Sequence, residues 1–125
     1  EIVLMHGFQG YPTKFSDLHL SRIKTLKNEF GFPVGIMEHV SGNSELSIIA
    51  PLLGISLGAT IVEKHITLDR SLKGIDYFSS LNPDEFKKLS SLINLTKQFS
   101  GLSDFTIISS PFKTSLGSVC ISAWV

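Results

Sequence analysis

Three runs of four residues, Ile2-Val3-Leu4-Met5, Val34-Gly35-Ile36-Met37 and Ala59-Thr60-Ile61-Val62, are largely apolar, and each is followed at once by polar residues. Four residues are too few for a helix that buries a face, so these runs predict short buried strands of the kind found in parallel sheets. What lies between them has a different period. From Asp17 to Phe30 the apolar residues Leu18, Leu20, Ile23, Leu26 and Phe30 recur at near-helical spacing, with Ser16 or Asp17 placed as an N-cap and Gly31 as a stop. Ser44 to Leu57 carries Leu46, Ile48, Ile49, Leu52 and Leu53 before Gly58, which predicts a second, more apolar helix interrupted early by Pro51. Asn82-Pro83-Asp84-Glu85 opens a third, with an N-cap, a proline at the first helical position and acidic residues at the positive end of the helix dipole. Its apolar positions Phe86, Leu89, Leu92, Ile93 and Leu95 carry it to about Phe99.

Strand, helix, strand, helix, strand, loop, helix is the grammar of an α/β protein with a parallel sheet, and a barrel of repeated βα units is the leading expectation. Closure of such a barrel takes about eight strands. Three strands therefore predict part of a barrel with open edges, unstable or self-associating when alone. The chain starts at Glu1 and enters an apolar run directly, which reads as a cut inside a larger protein. From residue 101 to 125 the only charges are Asp104 and Lys113, and Ser109 to Ser118 is rich in Ser, Pro and Gly. That stretch is set apart as an atypical tail, frameshifted or unrelated, after a barrel portion covering residues 1–100.

Composition narrows the function. The 42% hydrophobic and 18% charged content is that of a globular chain, and eleven basic residues cancel eleven acidic ones. No electrostatic footprint for nucleic acid or a polybasic membrane surface is present, so neither partner is expected. Cys120 has no second cysteine to pair with, and no apolar run has the length of a membrane span or the order of a signal peptide. A reducing, cytoplasmic setting is the expectation.

In α/β barrels the reactive groups sit at the carboxyl ends of the strands. Here the first run leads into His6-Gly7-Phe8-Gln9-Gly10-Tyr11-Pro12-Thr13, the second into Glu38-His39 and the third into Glu63-Lys64-His65. Two imidazoles and two carboxylates are thus expected to converge on one rim, and histidines on neighbouring strand ends suit Mn²⁺ or Zn²⁺ with open positions for substrate and water. Singly, each of these residues is more often a surface or hydrogen-bonded core residue; their joint placement carries the expectation. The segment Thr67 to Tyr77, mixing both charges with Gly74, reads alone as an ordinary solvated loop.

The run Gly58-Ala59-Thr60-Ile61-Val62-Glu63-Lys64-His65-Ile66-Thr67-Leu68-Asp69-Arg70, continued by Lys73-Gly74-Ile75-Asp76 and Ser80-Leu81-Asn82-Pro83, closely resembles the signature near the end of the barrel in bacterial-type sialic acid synthases. His6 through Thr13 resembles that family's sixth strand with its tyrosine-proline-threonine loop, and Gly35-Ile36-Met37-Glu38-His39 its seventh, where serine-aspartate-histidine is usual. The resemblance covers residues 2–100. It implies strands six to eight of a TIM barrel, in a cytoplasmic homodimeric synthase that condenses phosphoenolpyruvate with N-acetylmannosamine or a related amino sugar and releases phosphate.

On the same resemblance His39 and His65 hold a divalent metal, Mn²⁺ first, which polarises the sugar's aldehyde oxygen towards attack by C3 of phosphoenolpyruvate. Tyr11 and Asp76 match sugar-site residues, Gln9 stands where an asparagine helps hold the substrates, and Glu38 stands at the substrate-site aspartate. Glu63, beside a metal ligand, is the catalytic carboxylate that orients the ligand or a bound water. Met37 replaces a serine that touches phosphate, and a thioether cannot donate. The lysines that grip the phosphate belong to earlier strands, and the family's basic linker and antifreeze-like domain have no counterpart in residues 105–125. Two other readings stay open: a different metal-using barrel enzyme, aldolase or isomerase, with Glu38 or Glu63 as acid-base group, and a non-catalytic remnant of a barrel.

Overall fold

The computed structural model describes residues 2–101, together with the backbone of 106–111 and 121–124. Strands β1 (Leu4–His6), β2 (Val34–Met37), β3 (Ile61–Ile66) and β4 (Thr106–Pro111) lie side by side in chain order and parallel, and β5 (Ile121–Trp124) runs antiparallel along β4. Helices α1 (Arg22–Phe30), α2 (Leu46–Ser56) and α3 (Pro83–Ser100) alternate with the parallel strands. This is the α/β architecture that the alternating periodicities predict.

One register decides which side chains share a face. Ile36 lies opposite Val62, and Met37 opposite Glu63. Ile36, Val34 and Val62 join Ile23 of α1, Ile55 of α2 and Leu89 and Ile93 of α3 in one buried apolar cluster, so all three helices cover the same side of the sheet. Burying each such side chain contributes about 1.5–3 kcal/mol. Because side chains alternate along a strand, Met37 and Glu63 project to the opposite side, which in a barrel is the interior.

Several boundaries differ from the periodicity reading. β1 begins two residues later than expected and takes in His6, while β3 begins at Ile61 and extends through His65 to Ile66. The longer β3 is explained by β4, which pairs with it over six residues and supplies the ladder that keeps Glu63, Lys64 and His65 extended. β4 itself had no assigned element; with Ser-Ser-Pro at its end it lacks the apolar run that marks a buried strand. The sheet therefore continues past residue 100, and the nature of the tail at 102–105, 112–120 and 125 lies outside the described residues.

The first helix starts at Arg22 rather than Asp17. Phe15–Asp17 form a tight 3₁₀ turn, and His19 takes a positive φ of 41°, which breaks the helical path. Nε2 of the buried His6 bonds the Leu18 carbonyl at 2.7 Å, holding as an outside partner a group that a continuous helix would use internally. Gly31 ends α1 as expected, at φ 68° with its N–H donated to the Lys27 carbonyl. Pro51 does not interrupt α2. The lost N–H removes one helical bond, and the burial of Ala50, Pro51, Gly54 and Ile55 on one side of the helix offsets it.

Gly54 lets α2 approach the sheet closely. A Cβ there would lie 2.8 Å from Ile36 Cδ1 and 3.1 Å from Cγ2. Gly54→Val is expected to destabilise the fold by about 1–3 kcal/mol through overpacking, read as a lower urea midpoint at unchanged slope.

Candidate functional site

The site assembles at the carboxyl ends of β1, β2 and β3. Beyond β1 the chain turns through Gly7 to Thr13, with the Tyr11–Pro12 bond cis. Thr13 closes this turn: its hydroxyl donates to the Gly10 carbonyl at 2.7 Å, and its N–H donates to the His39 carbonyl at 2.9 Å. The turn is thereby tied to the end of β2, and the Tyr11 ring lies over the His39 ring with centroids 4.2 Å apart. The His65 ring also lies beside His39, with centroids 5.0 Å apart and the planes tilted by 50°. Phe78 meets the edge of Tyr11 at 6.1 Å, and the Tyr11 hydroxyl points to Gln9 Oε1 at 3.4 Å.

His39 is 3% exposed. Its Nδ1 faces the Phe8 carbonyl at 3.3 Å, and since a carbonyl only accepts, Nδ1 carries a proton and Nε2 is the ring nitrogen left for another partner. Burial pushes the His65 imidazole below its usual range; positive charge on His39 pushes the same way, Asp76 opposes, and Lys64 adds to the lowering. His65 is therefore neutral at pH 7 and has a lone pair to offer. Tyr11 is held above the ordinary phenol value, first by desolvation and then by the negative charges of Asp76 and Glu63, so its hydroxyl remains a donor. These same couplings show that Asp76 and Glu63 border the site.

Two imidazoles side by side suit a borderline metal ion. Among the described residues, no group of three or more His, Cys, Asp or Glu side chains is placed to hold one. His39 and His65 would thus supply two ligands, the remainder coming from water, substrate or other parts of the protein.

A profile of the NeuB family matches residues 1–104. The chain belongs to the NeuB family. It is 40% identical over 88 residues to an N,N'-diacetyllegionaminic acid synthase of Legionella pneumophila, covering 70% of this chain and 23% of that protein. Over 94 residues it is 39% identical to an N-acetylneuraminate-9-phosphate synthase of Drosophila melanogaster, covering 74% and 24%. The crystal structure of an N-acetylneuraminic acid synthetase from Leptospira borgpetersenii superposes with a TM-score of 0.73 at 38% identity, covering 82% of this chain and 34% of that one. This chain spans about a quarter to a third of the length of these relatives. These three NeuB-family relatives are sialic or other nonulosonic acid synthases, enzymes of carbohydrate biosynthesis. No helix among the described residues is long and apolar enough to cross a membrane.

Of the residues singled out in this NeuB-family chain, Gln9, Tyr11, His39, Glu63, His65 and Asp76 come together at the strand ends. Glu38 does not join them. It shares the helix-facing side with Ile36, is 1% exposed, and forms a buried ion pair with Lys64, itself fully buried. Its other oxygen accepts the Val40 N–H at 2.6 Å. The expected substrate-facing role is replaced by a place in the wall, because Glu38 is an even step from Ile36 along the alternation. Burial pushes Glu38 up and Lys64 down, and their mutual contact opposes both shifts. Removing one partner of such a pair costs about 3–5 kcal/mol. Met37 does face the interior, its Cγ and carbonyl packed where a Cβ on Gly7 would otherwise sit.

Arg70, read from sequence as part of an ordinary loop, organises the segment that carries Asp76. Its guanidinium makes a two-pronged pair with Glu85, at 2.6 and 2.7 Å, and donates to the Ser80 carbonyl and to Asn43 Oδ1; its backbone N–H reaches Asn82 Oδ1. Glu85 Oε2 also accepts the Asn82 N–H, capping α3. Asp76 sits at φ 56°, and its carbonyl accepts from both the Ser79 and Ser80 hydroxyls. A non-glycine residue there costs about 1 kcal/mol, which these bonds offset. Gly42 permits the approach: a Cβ would lie 2.2 Å from the Ser80 carbonyl oxygen.

The Arg70 contact holds Glu85 below its ordinary value of 4.5. A depressed carboxylate contributes stability that is present above 4.5 and lost as pH falls through the folded-state value. Glu85→Gln is expected to cost on the order of 1 kcal/mol at pH 7. That difference should shrink as pH falls below 4.5 and vanish once Glu85 is protonated in the folded state as well, as followed by urea unfolding across the acid range.

Proposed function

We propose that this chain forms the metal-binding and sugar-facing wall of a nonulosonic acid synthase that condenses phosphoenolpyruvate with N-acetylmannosamine or a related amino sugar and releases phosphate. Its strands β1, β2 and β3 correspond on this reading to the sixth, seventh and eighth of the barrel. The observation that carries it is the convergence of His39 and His65, rings 5.0 Å apart, with the Tyr11 ring tilted against His39 at 4.2 Å, in a chain whose relatives include named nonulosonic acid synthases.

His39 through Nε2 and His65 would hold a divalent ion, Mn²⁺ by preference. When bound, the ion supplies Lewis acidity to an oxygen of the sugar. Tyr11, kept protonated by desolvation and then by the nearby carboxylates, donates a hydrogen bond to the sugar, and Gln9 beside it contributes an amide. Asp76 accepts from sugar hydroxyls at the loop after β3. Glu63, on the interior face next to His65, orients water or accepts its proton. Met37 offers no hydrogen to a phosphate, so that group is held by other parts of the synthase.

His39→Ala and His65→Ala, made separately in the full chain, are each expected to lower Mn²⁺-dependent, amino-sugar-dependent phosphate release at least 100-fold. Release at the native rate in either variant would remove the proposed site.

One observation favours a second reading, a barrel remnant without catalysis. On the strand assignment above, β4 pairs along the edge of β3 where a closed barrel would place its first strand. Sugar-dependent phosphate release by the purified 125-residue chain would exclude that reading.

A further inference from the structure

Glu38 and Lys64 each stand one residue before a histidine of the site, Glu38 before His39 and Lys64 before His65. Their side chains meet on the helix side of the sheet, fully buried, while the two imidazoles meet on the other side. Register explains the coincidence. The last backbone pair between β2 and β3 is Met37 with Glu63; one step further sets Glu38 against Lys64, and two steps set His39 against His65. β2 has ended by then, so no ladder pairing with β3 fixes where His39 lies.

The ion pair continues the cross-strand linkage beyond the ladder. One Glu38 oxygen takes the Lys64 ammonium and the other takes the N–H of Val40. A single carboxylate therefore clamps the backbone on both sides of His39 and ties it to the residue preceding His65. Stability alone gives no reason for charges here, because apolar residues of similar volume usually serve a buried wall as well or better.

We propose that Glu38 and Lys64 are positioning residues that set the separation and tilt of the His39 and His65 rings, and through them the affinity of the pair for a divalent ion. The ion-affinity part rests on the reading of these histidines as metal ligands. It extends the principle that groups behind the ligands orient them from direct hydrogen bonds to a link acting through the backbone.

The test compares the wild type, the apolar double variant Glu38→Leu/Lys64→Met, Glu38→Gln and His39→Ala in the full chain. Three readouts are taken: the urea midpoint, Mn²⁺ affinity by calorimetry, and the ring-to-ring NMR contact between His39 and His65 without metal. The double variant is expected to keep its urea midpoint while its Mn²⁺ dissociation constant rises about 10-fold or more and the ring contact weakens. Glu38→Gln, which keeps an acceptor for Val40 and loses the charge facing Lys64, should shift both in the same direction by less. A folded double variant, or Glu38→Gln where the double variant does not fold, with native affinity and native ring contact overturns the proposal. If His39→Ala binds Mn²⁺ as the wild type does, the metal reading falls, and the ring contact still decides the positioning role.

Discussion

The parallel register of β2 against β3 is the constraint on which the rest depends. It places Ile36 and Val62 together under the helices and Met37 and Glu63 together on the interior side. A slip of one residue would exchange the two faces, putting charges into the apolar cluster and isoleucines at the strand ends. Everything chemical about the molecule is a consequence of which parity each polar residue occupies.

Parity also divides the charged groups by task. Glu38 and Lys64, on the helix side, are removed from water and neutralise each other. His39, Glu63 and His65, on the interior side, keep company with Tyr11 and Asp76, and burial first, with neighbouring charges second, pushes the His65 imidazole down and the Tyr11 phenol up. Two opposite demands, a sealed wall and a polar cleft, are met within the three-residue segment Glu63-Lys64-His65.

Much of this was legible because both secondary-structure periods are strong here. Val34–Met37 emerged with the boundaries that its apolar run predicts, and α3 starts at the proline that its capping residues mark. The strand-end histidines were legible for the same reason. Glu38 was misplaced because its chemistry drew more notice than its parity, although the alternation Ile36, Glu38 and Val62, Lys64 held the signal of an opposite-charge pair on the buried face. β4 and the late start of α1 were not legible. The first depends on pairing with a distant strand, and the second on His6 reaching a carbonyl twelve residues away. Arg70 had no local signal, since its partners Asn43, Ser80 and Glu85 become neighbours only through the fold.

Arg70 ties together four stretches of chain: its own loop, the turn after β2 at Asn43, the strap at Ser80 and the first turn of α3 at Glu85. Concentrating so many attachments in one planar, rigid group makes the segment from Asp69 to Glu85 behave as a single mechanical part. Pushing on the amino end of α3 therefore shifts Asp76 with it, so the outer helical layer has leverage over the rim of the cleft.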